Sequence, residues 1–185
     1  MMNTTHAAMG VALAAPLAVV APELAPAAAL AGFAGGTFPD FDLFSGQHRR
    51  TLHFPVYYSA AALVASAAAL LAPTTATVAG AFFLWSAALH CVTDAAGGGL
   101  ELRPWEPTDD RGVYVHPAGR WIRPRRWIRY DGAPEDLVLA GVFSLPGLFL
   151  FDGAVRTLTV VGLAVSVVYV AVRKRLPEVE TRFLR

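Results

Sequence analysis

A run of about 40 residues without a charged side chain, residues 54–93, constrains this chain more than any other feature. Residue types that bind metal ions lie at both ends of the run: Asp40, Asp42, His48 and His53 before it, His90 near its end and Asp94 directly after it. The run is long enough for two helices of about 20 residues, each able to cross a bilayer. A helical hairpin begins and ends at the same membrane surface, so we expect the two flanking groups to meet there.

The composition favours an integral membrane protein. Hydrophobic residues make up 55 % of the chain, charged residues make up 16 %, and the mean hydropathy is +0.47. Soluble proteins average about 45–50 % apolar and about 25 % charged residues. No Lys or Arg precedes Arg49, so the N-terminal region lacks the positive start of a signal peptide and is predicted to be retained. The single cysteine, Cys91, cannot form an internal disulfide.

The apolar segments predict an all-α, polytopic transmembrane bundle of about four to six membrane segments in a single domain. Turn residues arrange the segments as three antiparallel pairs: 6–20 with 24–33, 56–72 with 76–93, and 137–151 with 157–172. The first pair is short for a hydrocarbon core of about 30 Å, so it either crosses fully or re-enters on the same side. The expected parts are a helical core over residues 5–95, a polar loop over 96–136 and a C-terminal hairpin over 137–175.

The polar loop is rich in arginine and tryptophan. Residues 113–115 and 121–122, with Pro117-Ala118-Gly119 between them, predict a small β-hairpin. Five arginines flank or follow its second strand: Arg120, Arg123, Arg125, Arg126 and Arg129. Such a surface is typical of an interfacial belt against anionic membrane lipid, and a phosphate-binding surface for a substrate is the alternative. Nucleic acid is not expected as a partner, and the sequence does not indicate an oligomeric state.

Three returning hairpins would place residues 1–6, 40–53, 95–136 and 173–185 on one side of the membrane. Every Lys and Arg except Arg156 then lies on that side. The positive-inside rule predicts that this side, with all the candidate ligands, is cytoplasmic. Because charge was not used to pair the segments, the agreement supports this topology.

Two pairs of candidate ligands have a spacing that suits a shared cation. His90 and Asp94 are four residues apart, so on a helix their Cβ atoms lie about 5–6 Å from each other. An aspartate at a helix C-terminus opposes the helix dipole, and a neighbouring cation would offset this. Asp40 and Asp42 face the same way if their backbone is extended, and two such carboxylates repel unless a cation or proton lies between them. The alternatives are an interfacial histidine bonded to a backbone carbonyl and solvated loop aspartates.

The predicted metal ligands are His6, Asp40, Asp42, His48, His53, His90 and Asp94. Imidazole nitrogens mixed with carboxylate oxygens suit Zn²⁺, with Mn²⁺ or Fe²⁺ as alternatives, better than Ca²⁺ or Mg²⁺. Six or more ligands could hold two ions, and one ion with supporting carboxylates is equally allowed. The fifth histidine, His116, belongs to the polar loop and has no partner in this pattern.

The order of these residues resembles the YdjM-type family of membrane-bound, metal-dependent hydrolases. Its pattern is an early His, a Pro-Asp-x-Asp, a His-Arg-x-x-x-His and a His-x-x-x-Asp between hydrophobic helices. The matching residues start here at His6, Pro39, His48 and His90, and the similarity covers residues 6–104. Phe54 stands where the family often has Ser, which removes a hydroxyl but no ligand. The resemblance implies a hydrolase whose helical ligand pattern is similar to that of phospholipase C-like enzymes.

These expectations combine into a membrane-embedded, metal-dependent hydrolase. Metal-activated water would attack a phosphoester or other ester of an amphipathic, lipid-like substrate, with Asp42 or Asp94 as general base and Arg49 or Arg50 beside the phosphate or carboxylate. The alternatives are a membrane protein with a structural metal site, a small metal transporter, and a scaffold whose loop recruits partners. A transporter is disfavoured because the apolar segments carry no ligands near the bilayer midplane.

Overall fold

The computed structural model describes residues 1–178 and is mostly helical. The α-helices are α1 Asn3–Leu13, α2 Leu17–Val20, α3 Ala25–Thr37, α4 Pro55–Leu71, α5 Thr75–Asp94, α6 Pro134–Phe149 and α7 Gly153–Val172. Short 3₁₀ helices cover Phe38–Leu43, His116–Ala118 and Arg173–Arg175, and the strands are β1 Val113–Val115 and β2 Arg120–Ile122. The predicted helices and the β-hairpin are therefore present, and the first apolar segment divides into α1 and α2 near Pro16.

The helices form three antiparallel hairpins whose polar ends lie together. Asp136 at the start of α6 accepts a hydrogen bond from the backbone nitrogen of Met2 at 2.7 Å, which joins the start of α1 to the third hairpin. At the opposite end, an apolar core contains Val11 of α1, Val78 of α5 and Phe151 between α6 and α7. This is the hairpin geometry that the apolar segments predict.

Small residues let three helix backbones touch. A Cβ atom added to Gly10 of α1 would overlap the carbonyl oxygen of Gly32 in α3 and the hydroxyl of Ser86 in α5. A Cβ on Gly35 of α3 would overlap the backbone of Phe83 in α5. Such contacts are typical of helices that pack closely within a bilayer. They fix α1, α3 and α5, the helices that carry or adjoin most of the candidate ligands, at short distances.

The turn between α4 and α5 closes the second hairpin. Thr74 Oγ1 accepts a hydrogen bond from the backbone nitrogen of Thr77, and Thr77 Oγ1 accepts one from the nitrogen of Thr74. This reciprocal cap satisfies two backbone donors at the start of α5. Trp85 Nε1 then donates to Ser66 Oγ across the two helices at 2.9 Å.

Three helical stretches within residues 1–178 are long and apolar enough to cross a membrane: Asn3–Val20, Thr75–Asp94 and Gly153–Glu178. α4 is also apolar, but its 17 residues rise only about 25 Å. Length and composition therefore support membrane insertion through three helices, which is fewer than the four to six segments that the sequence predicts.

The polar loop is folded and internally ion-paired. Residues 100–136 contain seven Arg and seven Asp or Glu, so their formal charges cancel. Arg111 pairs with Asp109 at 2.5 Å and Arg129 with Glu135 at 2.8 Å. The backbone nitrogens of Arg125, Arg126 and Ile128 donate to carbonyl oxygens just beyond α5, those of residues 95, 97 and 96. The loop thus covers the C-terminal end of α5 and is less basic as a whole than its arginine run indicates.

Substituting Gly10 by alanine tests the close packing of α1 on α3. We expect Gly10→Ala to lower the free energy of unfolding by about 1–3 kcal/mol, because the added methyl group forces the backbones apart. Gly80→Ala is the matched control, since a Cβ at Gly80 meets no atom of residues 1–178 within 4 Å. Thermal unfolding in detergent measures both, and equal midpoints for the two variants would contradict the packing.

Candidate metal centre

Four side chains from three parts of the chain converge at the polar end of α5. They are Asp40, His53, His90 and Asp94, and each offers an atom within 4.8 Å of those of the others. His90 Nε2 lies 3.3 Å from Asp40 Oδ1 and 3.5 Å from Asp94 Oδ2. His53 Nε2 lies 3.3 Å from Asp94 Oδ2 and 3.6 Å from Asp40 Oδ1. We call these four residues the quartet.

These separations match those of ligands around one metal ion. Bonds of 2.0–2.1 Å to a tetrahedral zinc ion place neighbouring ligand atoms about 3.3–3.4 Å apart. The Nε2 atoms of His53 and His90 are buried and have no hydrogen-bond partner among residues 1–178. A cation between the two nitrogens and two carboxylate oxygens would satisfy all four atoms, so the quartet fits a divalent ion.

Hydrogen bonds on the far side of each imidazole fix its orientation. His90 Nδ1 lies 2.6 Å from the carbonyl oxygen of Gly36, which can only accept. Nδ1 therefore carries a proton, and Nε2 is the ring nitrogen that faces the quartet. His53 Nδ1 lies 2.8 Å from Asp42 Oδ2, an arrangement of carboxylate and histidine that recurs around protein-bound zinc.

Asp42 supports the quartet through hydrogen bonds. Its Oδ1 lies 2.8 Å from His48 Nδ1, and its Oδ2 lies at the same distance from His53 Nδ1. Asp42, His48 and His53 form a second group that could hold an ion. However, 2.8 Å is a hydrogen-bond length and is shorter than the spacing of ligands around zinc. The geometry therefore favours a single ion in the quartet, with Asp42 orienting two histidines.

His6 and Arg49 hold Asp94 from two sides. His6 Nε2 lies 3.1 Å from Asp94 Oδ1, and the His6 ring stacks on that of His90 with centroids 3.8 Å apart. His6 belongs to neither group of potential ligands. Arg49 Nε lies 3.5 Å from Asp94 Oδ2. Asp94 thus presents one oxygen to the quartet while His6 engages the other.

Arg49 also connects the centre to the polar loop. Its Nη1 donates to the carbonyl oxygens of Gly98 at 2.5 Å and Gly112 at 3.3 Å. Its own carbonyl accepts a hydrogen bond from the nitrogen of Tyr114 in β1 at 3.0 Å. The backbone of Arg49 is left-handed, with φ +60°, which is rare for a residue with a Cβ atom. These three bonds compensate for that conformation and fix the guanidinium beside Asp94.

The electrostatics of residues outside the apolar α-helices favour positive charge at the centre. Burial alone would lower the pKa of His53, but its hydrogen bond to Asp42 and the nearby charge of Asp94 raise it above the ordinary value. Burial alone would raise the pKa of Asp42, but hydrogen bonds from His48 and His53 lower it to about 2. Asp40 is similar, since His90 outweighs burial and lowers its pKa. The carboxylates are therefore ionised and attract a cation.

All seven predicted ligands lie in one connected cluster, and the two flanking groups meet as expected. The ring centroids of His53 and His90 are 5.1 Å apart. The prediction of extended backbone at Asp40 and Asp42 is wrong. These residues lie on the 3₁₀ helix Phe38–Leu43, so Asp40 reaches the quartet while Asp42 faces His48 and His53.

Two groups that support the metal centre were not predicted from the sequence. Asn3 Nδ2 donates to Asp40 Oδ2 at 2.9 Å, and its position three residues before His6 on α1 could have indicated this. The carbonyl oxygen of Gly36 leaves no sequence signal for its bond to His90. A Cβ on Gly36 would overlap the carbonyl oxygen of His6, so this position needs glycine for close approach.

His116 lies apart from the centre, against Phe54, with ring centroids 4.5 Å apart.

A cavity of about 600 Å³ adjoins the centre and is partly lined by Asp40, His48 and Arg49. Asp40 and His48 keep 12 % and 28 % of their side-chain surface exposed, whereas His53 keeps none. The cluster is thus accessible from one side and closed on the others.

Comparison with known proteins gives no relative: no family model, curated protein or solved structure matches the chain.

Replacing Asp42 by asparagine tests its supporting role. We expect Asp42→Asn to weaken zinc affinity about 10–100-fold, because it removes the charged acceptor that orients His53. Asp110→Asn is the control, since Asp110 is exposed and pairs with Arg123 in the loop. Competition with a zinc-binding dye measures the affinities, and equal affinity in both variants would exclude Asp42 from the support of the site.

Proposed function

We propose that this protein is a membrane-embedded, metal-dependent hydrolase that cleaves a phosphoester or other ester of an amphipathic substrate. The proposal rests on one observation: Asp40, a member of the quartet, also lines a cavity. The order of ligand motifs, which resembles that of the YdjM-type hydrolases, supports it. The mixed nitrogen and oxygen donors favour Zn²⁺, with Mn²⁺ or Fe²⁺ as alternatives.

The quartet would hold the ion, which when bound supplies a Lewis acid and lowers the pKa of water. Asp42 and His6 orient the ligands. Asp40 is the partly exposed carboxylate at the cavity and is best placed to accept a proton from the attacking water. Asp42 and Asp94, which the sequence predicts as bases, are more deeply buried than Asp40, with 1 % and 2 % of their surface exposed.

Arg49 suits an anionic substrate group. Its guanidinium is buried, already oriented and adjacent to the cavity. A fixed guanidinium binds phosphate or carboxylate oxygens through charge-assisted hydrogen bonds. In the reaction water adds to the phosphorus or carbonyl carbon, the bond to the alkoxy oxygen breaks, and that oxygen leaves with a proton.

The proposed topology is multi-pass, with the metal centre and most Lys and Arg on the cytoplasmic side. Three helices within residues 1–178 are long enough to span the membrane. The proposed topology goes further, because in it all three hairpins cross the bilayer. Arg156 is the exception to the charge asymmetry, and it pairs with Asp152 at the opposite end at 2.9 Å. The positive-inside rule supports this orientation.

A structural metal site is the second candidate function, and one observation favours it. Four protein ligands complete a tetrahedron, as in structural zinc sites, whereas catalytic sites usually have three and a water. The cavity beside Asp40 favours the catalytic alternative. Hydrolysis therefore has to be measured together with metal binding.

His90→Ala tests the proposal, with His116→Ala as the control outside the centre. We expect His90→Ala to lose bound zinc and at least about 10³-fold in kcat/KM, because a ligand is removed, whereas His116→Ala keeps both. The measurements are elemental analysis and assays of phosphate and carboxylate esters with detergent-purified protein. Chelation should abolish the wild-type activity, and zinc should restore it.

Zinc bound by the wild type but lost from His90→Ala, together with no turnover of any ester, would favour the structural site. Equal zinc content in His90→Ala and in the wild type would contradict metal binding by the quartet.

A further inference from the structure

The cavity has a metal side and an apolar side. Asp40, His48 and Arg49 form the wall next to the quartet. Most residues of the other walls are apolar, among them Leu43, Leu100, Leu102, Val165, Leu176 and Pro177. A small polar substrate would gain nothing from such walls, whereas a hydrocarbon chain gains free energy by leaving water. The walls therefore suit an amphiphile with its polar group at Arg49.

One face of α7 leads from the cavity to the outside. Val165, Tyr169 and Arg173 line the cavity at intervals of four residues, which places them along one side of the helix. Val165 is 50 % exposed, so the cavity reaches the outer surface of α7. Because α7 belongs to a stretch that can span a membrane, this opening faces lipid in the proposed topology. A chain can enter here from the bilayer.

The volume of the cavity itself suits an occupant with one hydrocarbon chain. At about 30 Å³ for each non-hydrogen atom, the share of a water molecule in the liquid, the cavity holds about 20 atoms. A phosphate group takes about five of them, which leaves room for roughly a dozen carbons. The two chains of a membrane phospholipid need more space than this.

Within residues 1–178, two arginines and three acidic residues line the cavity, so an anionic head group has to lie at one of the arginines. Arg49 is held in place by the carbonyl oxygens of Gly98 and Gly112. Arg173, on the α7 side, donates from two nitrogens to both carboxylate oxygens of Asp131 at 2.8 and 3.0 Å, whereas Arg49 lies 3.5 Å from Asp94 through Nε and is less closely paired. The anionic group therefore belongs at Arg49, next to the quartet.

We infer that the cavity is the subsite for a single-chain amphiphile, with its anionic ester group at Arg49 beside the quartet and its hydrocarbon chain along Leu100, Leu102 and Val165. Cleavage of the ester rests on the proposed function. Binding of the chain depends only on the walls, volume and opening of the cavity.

Photolabelling tests the subsite without an activity measurement. The probe is dodecyl phosphate with a diazirine at the end of its chain, added to zinc-loaded protein in lipid nanodiscs. We expect mass spectrometry to find the label in residues 100–102 and 165–176. Val165→Trp should reduce this labelling at least tenfold because the indole fills the opening. Val168→Trp is the matched control, since Val168 is 62 % exposed on the same helix and does not line the cavity.

Leu102→Trp narrows the cavity from the loop side and should reduce labelling as well, so the test does not depend on one variant. Zinc content and the thermal unfolding midpoint show whether each variant is folded. Labelling that both tryptophans leave unchanged, or that spreads over α4, would overturn the subsite.

Competition tests the single-chain specificity. Unlabelled dodecyl phosphate should suppress labelling, whereas butyl phosphate and inorganic phosphate at the same concentration should not. A two-chain phosphatidic acid that competes as well as dodecyl phosphate would overturn the single-chain assignment. Specific labelling without hydrolysis of dodecyl phosphate would support the subsite and count against the hydrolase.

Discussion

Buried carboxylates beside buried imidazoles are the constraint on which the rest of this structure depends. Asp42 and Asp94 expose 1 % and 2 % of their surface, and His53 and His90 expose 0 % and 1 %. Transfer of an ionised carboxylate from water to a protein interior costs several kcal/mol of solvation free energy, unless nearby charges and hydrogen bonds compensate for this cost. Arg49 and the outer histidines provide part of that compensation. A divalent ion in the quartet would add to it and satisfy the two Nε2 atoms that have no hydrogen-bond partner within residues 1–178.

The helices supply the geometry that such a centre needs. Each contributing segment lies at the polar end of a hairpin, so residues 50 positions apart in the chain reach one point. The glycine contacts between α1, α3 and α5 bring the backbones close enough for the Gly36 carbonyl to orient His90. The folded loop covers the end of α5 and holds Arg49. The packing of the helices and the orientation of the ligands therefore depend on the same contacts. A methyl group at Gly36 would disturb both.

Much of this could be predicted from the sequence, because apolar length and residue type are local properties. The charge-free run predicts the hairpin of α4 and α5, and the hairpin predicts that His53 meets His90. The roles of individual ligands could not be predicted. From the sequence, Asp40 and Asp42 are equally good metal ligands. The 3₁₀ helix turns Asp40 towards the quartet and Asp42 towards the histidines that it supports. The loop arginines indicate a basic surface, but their pairing with Asp109, Glu135 and other acids depends on tertiary contacts.

The most direct test of a cation held by the quartet is X-ray absorption spectroscopy of the zinc-loaded protein. The geometry predicts a first shell of nitrogen and oxygen only, with about two histidines and bond lengths of about 2.0–2.1 Å. A shell without imidazole scattering, or with a sulfur atom at about 2.3 Å, would place the metal elsewhere and contradict the centre described for Asp40, His53, His90 and Asp94.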